Sequence, residues 1–283
     1  MNALSRSWQL TKLSFRVIGQ DKELLLYPLI AVLLSVGFLL ALLYPTIWLE
    51  MSNDGSLEWD FANIAITFIS YLGLAFIGTF SNMCIVYTAK KRFEGGDATF
   101  FESISFALGR IHQILGWATV SASVGLLLRG LDNIAERAGG IGEIVVGVVR
   151  SILGMVWSVI TIFVVPSMVY RGTGPIAAIK DSVRVLKKTW GESLVRSIGF
   201  GLVQFIVLLL GGLVFAGLAT VMTTTTTMTL VFISLVVVYF VGVIFVFMLA
   251  EMIFNTALYA YASEGSIAPG YDQELFEGAL RTK

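Results

Sequence analysis

Six stretches of this chain are apolar over about the length a helix needs to cross a bilayer, roughly 20 residues at about 1.5 Å rise each. They run from Leu24 to Tyr44, Ala62 to Thr88, Ile114 to Gly130, Ile141 to Val165, Leu194 to Val221 and Thr229 to Ala262. A membrane-crossing strand needs only about half that length, so the runs read as helices. Of the 283 residues, 57% are hydrophobic and 13% charged, against roughly 25% charged in soluble domains. The expected fold is an all-α polytopic membrane protein with six transmembrane helices.

The basic residues orient that layout. All nineteen Lys and Arg except Arg129, Arg137 and Arg150 fall on one side of it. Cytoplasmic loops carry such an excess, so both termini are expected in the cytoplasm and the acidic loop "WLEMSNDGSLEWDF" outside. The N-terminal segment holds Arg6, Lys12, Arg16 and Lys22 without a separate short apolar core and cleavage site. The first span itself is therefore expected to direct insertion. Nineteen acidic residues cancel the nineteen basic ones; net charge selects no partner, and no nucleic acid is expected. The third outer connection, "TVMTTTTTMTL", is either a short turn or a polar wall.

Each pair of spans is preceded by a short stretch with helical apolar spacing. In the first, Leu4, Trp8, Phe15 and Ile18 make the stripe, with Arg6, Lys12 and Arg16 opposite. In the second the stripe is Phe100, Ile104, Leu108 and Ile111, and Thr99 and Glu102 have capping-box spacing. In the third it is Ile176, Ile179, Val183, Leu186 and Trp190, with Lys180, Asp181, Arg184, Lys187 and Lys188 on the other face. The returning spans also end alike: "FSNMCIVYTAKKRFEGG", "FVVPSMVYRGTG" and "FNTALYAYASEG" place Phe80, Phe163 and Phe254 seven residues before Tyr87, Tyr170 and Tyr261. A glycine follows each tyrosine. These matches predict a threefold pseudo-repeat, in which an interfacial amphipathic helix on the inner leaflet precedes each helical hairpin. The units run from about 3 to 92, 99 to 171 and 173 to 263. They make one transmembrane domain over 1–263, followed by a short cytoplasmic tail, 264–283. Lys12, Arg16, Lys180, Arg184, Lys187 and Lys188 are the candidate contacts to anionic lipid headgroups.

The stretches "RSWQLTK", "DKELLLYPL" and "KDSVRVLKKTWGES" resemble a prokaryotic six-span integral-membrane family with no assigned function. The layout is remotely similar to the membrane domain of glycerophosphodiester phosphodiesterases. The resemblance implies the same fold and a prokaryotic plasma (inner) membrane; it brings no catalytic domain and no active site to map.

Enzyme chemistry is hard to assemble from these residues. His112 is the only histidine and Cys84 the only cysteine, which excludes a multi-histidine zinc site and a disulfide framework. His112 is expected on the second interfacial helix beside Arg110, and Cys84 as an inert buried thiol. Neither a phosphate-cradling Gly-x-x-x-x-Gly-Lys motif nor a Gly-x-Ser-x-Gly elbow occurs. "FEGGDATFFES", with Asp97 and Glu102, reads as a turn into a capped helix. No enzyme, cofactor or metal is expected.

One carboxylate lies inside a span. Glu251 and Asn255, at i and i+4, share one face of the last helix. Glu251 is about 15 Å from the inner interface, at the depth of Gln204, with Asn82 nearer the cytoplasm. Glu251, Asn255, Asn82, Gln204 and Arg196 form the candidate intramembrane polar cluster. Its carboxyl serves either an ion or solute path or the packing of helices. Two functions follow: a self-associating, membrane-organising protein acting through lipid and protein contacts, or a channel or transporter for a small solute or ion.

Overall fold

Long apolar runs have their backbone groups bonded within helices, and the structure, a computed structural model, follows that rule. It describes residues 12, 14–52, 61–188, 190–222 and 225–265. Among these, every regular element is helical. Residues 14–20 form α1, and a 3-10 turn at Lys22–Leu25 leads into α2 (Leu26–Ser52). Then come α3 (Phe61–Phe93), α4 (Phe100–Leu108), α5 (Ile111–Ala138), α6 (Gly140–Ile160), α7 (Val164–Arg171), α8 (Pro175–Lys188), α9 (Trp190–Met222) and α10 (Thr226–Glu264). Five helical stretches among the described residues are long and apolar enough to cross a membrane: Lys22–Leu43, Ile64–Phe93, Ile111–Arg137, Gly140–Arg171 and Thr226–Glu264. Within α9 the apolar stretch is Val203–Ala219. The chain is a helical, multi-pass membrane protein.

Local chemistry sets the helix ends. Thr99 and Glu102 form the expected capping box at the start of α4, giving two orphan donors partners. Thr225, the last of the five consecutive threonines but two, accepts from Met228 N at the start of α10. The glycines after the three returning helices, Gly95, Gly172 and Gly265, all have φ between 62° and 81°, a left-handed conformation that closes a helix without a Cβ penalty.

The helix expected across 141–165 is interrupted. It stops at Ile160, turns through 161–163 and resumes as α7. Pro166 lacks the N–H that would continue the ladder. Ser182 of α8 repairs the gap: its hydroxyl donates to Ile160 O at 2.6 Å and accepts from Phe163 N at 3.1 Å. Inside a bilayer no water is present to do this.

Large buried side chains gather toward one end of the bundle, among them Met83, Phe163, Met168, Leu258 and Tyr259. There α4 lies on α3, with Phe106 stacked on Tyr87 at 4.1 Å, and Phe100 stacks on Tyr27 at 5.1 Å. α8 packs on α7, and α1 reaches α10 through an edge-on Phe15–Phe247 contact at 5.5 Å. Away from that end, leucines and isoleucines such as Leu40, Leu127, Ile144, Leu213 and Leu230 are exposed, as lipid-facing positions should be. Close approach there relies on glycine: a Cβ at Gly211 would overlap the Tyr239 ring, whose hydroxyl donates to Val207 O at 2.7 Å.

The interfacial stripes differ from the sequence reading. On α8 the buried face is Ala178, Asp181, Ser182, Val185 and Leu186; Ile176 is 58% exposed. Small Ala178 and Ser182 let α8 approach closely enough to reach the broken span, and that rotates Asp181 inward. On α4, Ser103 and Ala107 are the buried positions, while Leu108, and Ile111 at the start of α5, are exposed. His112 is on the first turn of α5, exposed, and not on the short helix before it. On α1, Ile18 is buried and Phe15 half-buried; Leu4 and Trp8 lie outside the described residues, as does the side chain of Trp190.

Ser182→Ala removes both bonds at the break. It should lower stability by about 1–3 kcal/mol, the cost of orphaning buried backbone groups, measured by denaturant unfolding in detergent micelles; Ser158→Ala, on an exposed hydroxyl of α6, should change it little.

Candidate functional site

The polar chemistry of the molecule is concentrated where the sequence reading did not put it. Asp181, on α8, is 4% exposed. Its Oδ2 accepts from the Tyr259 hydroxyl of α10 at 2.6 Å and from Ser167 Oγ of α7 at 2.9 Å. Its Oδ1 is 3.1 Å from Arg184 Nη1 and 3.2 Å from Arg171 Nη1. One carboxylate thus joins three helices and takes two neutral and two cationic donors. Both guanidinium groups keep an exposed side, so the cluster is buried at its carboxylate and open at its cations.

A second pin has the same character. Asp21, between α1 and α2, is 8% exposed and is gripped by both Arg92 Nε, at 2.6 Å, and Arg92 Nη2. Arg92 also reaches Asp97 at 2.9 Å, so the Gly-Gly turn of "FEGGDATFFES" is an ion-paired corner. Beside it Thr88, Ser103 and Tyr27 form a buried hydroxyl relay, with Thr88 Oγ1 2.8 Å from Ser103 Oγ and 3.4 Å from the Tyr27 hydroxyl. Cys84 is buried and its thiol donates to Ser103 O at 3.5 Å. Lys90 sits 4.6 Å over the Tyr170 ring, and Gln113 Nε2 donates to Gly172 O at 2.8 Å. The ends of α2, α3, α4, α5 and α7 are tied together through these contacts.

The expected intramembrane cluster is not joined by hydrogen bonds. Glu251, Asn82 and Gln204 are half-buried and bond to none of one another among the described residues. Asn255 is also half-buried, with its Oδ1 buried and lacking a partner. The side chain of Arg196 lies outside the described residues. Of the headgroup candidates, Lys12, Arg16, Lys180, Lys187 and Lys188 are exposed, with Lys188 Nζ 3.4 Å from Ala262 O. Arg184 is exposed too, yet one of its nitrogens is committed to Asp181. Among the described residues, no three of His, Cys, Asp and Glu gather as a metal site.

Asp181 was missed because it stands among Lys180, Arg184, Lys187 and Lys188, a context that reads as a solvated face. The signal that finds it is the small-residue stripe Ala178, Ser182, Val185, whose helical spacing encloses Asp181 on one face.

Asp181→Ala should destabilise the protein by about 3–5 kcal/mol, because buried hydroxyls and two guanidinium groups lose their shared acceptor. Tyr259→Phe should cost about 1.5–3 kcal/mol, since Ser167 still serves Oδ2. Unfolding in micelles measures both, and an equal loss in the two variants would show that Tyr259 alone holds the cluster.

No curated protein matches this chain. A family model matches residues 61–269, about three quarters of its length, and the chain belongs to that family of unknown function (DUF6159).

Proposed function

We propose that this protein is a non-enzymatic, membrane-organising scaffold that self-associates and binds anionic lipid on its basic side. In this reading it has six spans, α9 supplying the fifth, and both termini in the cytoplasm of a prokaryotic cell with the domain in the plasma membrane. The observation that carries it is a charge imbalance at the closed end. There the buried carboxylates of Asp21 and Asp181 are consumed by internal partners, whereas Lys180 and Lys187 project outward with no carboxylate partner among the described residues. The Asp181 pin fixes α8 with that basic face outward, where each Lys or Arg near an anionic surface contributes about 1 kcal/mol.

The threefold build supports the same reading. Ser14, Ser103 and Ser182 are fully buried, one on each short helix. Ser103 bonds to α3 and Ser182 to the α6–α7 break, the returning helix of the unit before, while α1 meets α10 through Phe15 and Phe247. Each surface helix therefore staples two units, and α1 and α8 display basic faces with Lys12, Arg16, Lys180, Lys187 and Lys188 exposed.

Native mass spectrometry of the protein released gently from its membrane tests this. The expected result is an assembly larger than a dimer, retaining anionic lipid. In Lys180→Gln, Lys187→Gln, Lys188→Gln the retained anionic lipid should fall by roughly 100-fold in relative affinity, about 3 kcal/mol for three charges. A monomer with unaltered lipid preference in the triple variant overturns the scaffold.

A second reading, a channel or transporter for a small solute or ion, is favoured by one observation: Asn255 Oδ1 is buried and unpartnered one turn from Glu251. Polar groups left open inside a membrane mark a path for something polar. Here Glu251→Gln should abolish a pH-dependent flux in proteoliposomes while leaving unfolding stability unchanged; a flux equal to that of the unaltered protein removes Glu251 from any path.

A further inference from the structure

Between α2, α3 and α4 lies an apolar groove of about 330 Å³. Its walls include Tyr27 and Ala31 of α2, Phe80 and Ser81 of α3, Phe100 of α4 and Ile111 at the start of α5. Along α3 it extends from Phe76 to Cys84, about 12 Å at helical rise. The groove is on membrane-spanning helices, so hydrocarbon is the medium it opens to, and α4 closes the end nearest the basic side.

Two further features point to a particular occupant. Ser81 is only 6% exposed and its hydroxyl has no partner. Other hydroxyls on these helices return their proton to the carbonyl four residues back, as Thr79 does to Ala75 at 2.6 Å and Ser70 to Ile66 at 2.7 Å. Ser81 does not, which leaves a buried donor on an otherwise apolar wall. At the closed end, Arg110 stands between the groove residues Leu108 and Ile111 in sequence. Its guanidinium rests 3.7 Å from the Phe106 ring and has no carboxylate partner among the described residues.

We propose that this groove is a specific site for one acyl chain of an anionic phospholipid, with its ester carbonyl accepting from Ser81 and its phosphate on Arg110. The apolar wall takes the methylenes, the orphan hydroxyl finds an acceptor, and the unpaired cation finds an anion. None of the six lysines and arginines assigned above to headgroup contact is used, and the site does not depend on self-association.

The test is photo-crosslinking of the full-length protein in nanodiscs with phosphatidylglycerol, or with phosphatidylcholine, carrying a diazirine in one acyl chain. Label should concentrate in 27–34 and 76–84, and phosphatidylglycerol should compete about tenfold better than phosphatidylcholine, the weight of one charge-assisted contact. Arg110→Gln should remove that headgroup preference while labelling of the groove persists. Ala31→Trp should abolish the labelling by filling the groove. Leu34→Trp, at a lipid-exposed rim position that tolerates bulk, should reduce it even if Ala31→Trp fails to fold. Equal labelling of the exposed face of α6, unchanged labelling in Leu34→Trp, or peptides of a second copy crosslinked in place of lipid would each overturn the proposal. Subunit number is read separately, so a monomeric protein that still labels in the groove refutes the scaffold and leaves the lipid site standing.

Discussion

Asp181 sits where α7, α8 and α10 converge, and the arrangement of the closed end follows from satisfying its carboxylate. A carboxylate taken out of water is tolerated only with excellent geometry and partners for its remaining lone pairs. Tyr259, Ser167, Arg171 and Arg184 supply them, and each donor comes with its helix attached. Once α8 is held by Asp181, Ser182 is in place one residue later to bridge the broken span. The interruption at 161–163 and the inward carboxylate are therefore one device. A continuous helix there would leave Ser182 buried against a saturated backbone; a broken helix without α8 would leave backbone groups bare in hydrocarbon.

The distribution of burial carries this further. Interlocking rings, ion pairs and hydroxyl contacts accumulate at the end that holds α1, α4 and α8, while the far stretches of the spans present Leu, Ile and Val outward. Water drives no helix association within a bilayer, so contact there must come from close packing or polar bonds. The protein places its polar bonds at that end, where Arg92, Arg171 and Arg184 keep an exposed side while their carboxylates are buried, and leaves the hairpins to pack through glycines such as Gly73 and Gly211. The groove beneath α4 is a consequence: a short helix held across the ends of α2 and α3 by Phe100 and Phe106 roofs a gap that the spans below do not fill.

Helix class and the existence of spans were legible because apolar length is a one-dimensional property, and a capping box or a terminal glycine is read from four adjacent residues. Gly95, Gly172 and Gly265, each just past a helix, share a left-handed φ. What the sequence hid was rotation. On α8 two faces compete, a bulky one through Ile176 and Val183 and a small one through Ala178 and Ser182; a wheel favours the first because it scores hydrophobicity, whereas close approach favours the second. Asp181 was hidden by the same logic, since its partners Tyr259 and Ser167 are 78 and 14 residues away. The break before Pro166 was hidden because apolar composition is blind to the ladder it interrupts.

Glu251 makes the contrast with Asp181 instructive. Asp181, on the strongly charged α8, has four donors within 3.2 Å, whereas Glu251, inside the apolar α10, has no hydrogen-bond partner among the described residues. Asn255 repeats the deficit one turn along, with Oδ1 buried and unpartnered. A buried acceptor without a donor costs about 1–3 kcal/mol; Asn255 Oδ1 is one, and with the half-buried Glu251 it makes a polar strip on one face of α10 that is unpartnered among the described residues. The ends of α10 are fixed, by Thr225 capping its start and Tyr259 gripping Asp181 near its finish, so the strip cannot be satisfied by rotating the helix. In the two proposed readings its partner is a donor of a neighbouring copy or a polar solute passing along the helix. That open acceptor bears on both proposed readings, and it falls on a helix that Tyr259 ties to the Asp181 cluster near its end.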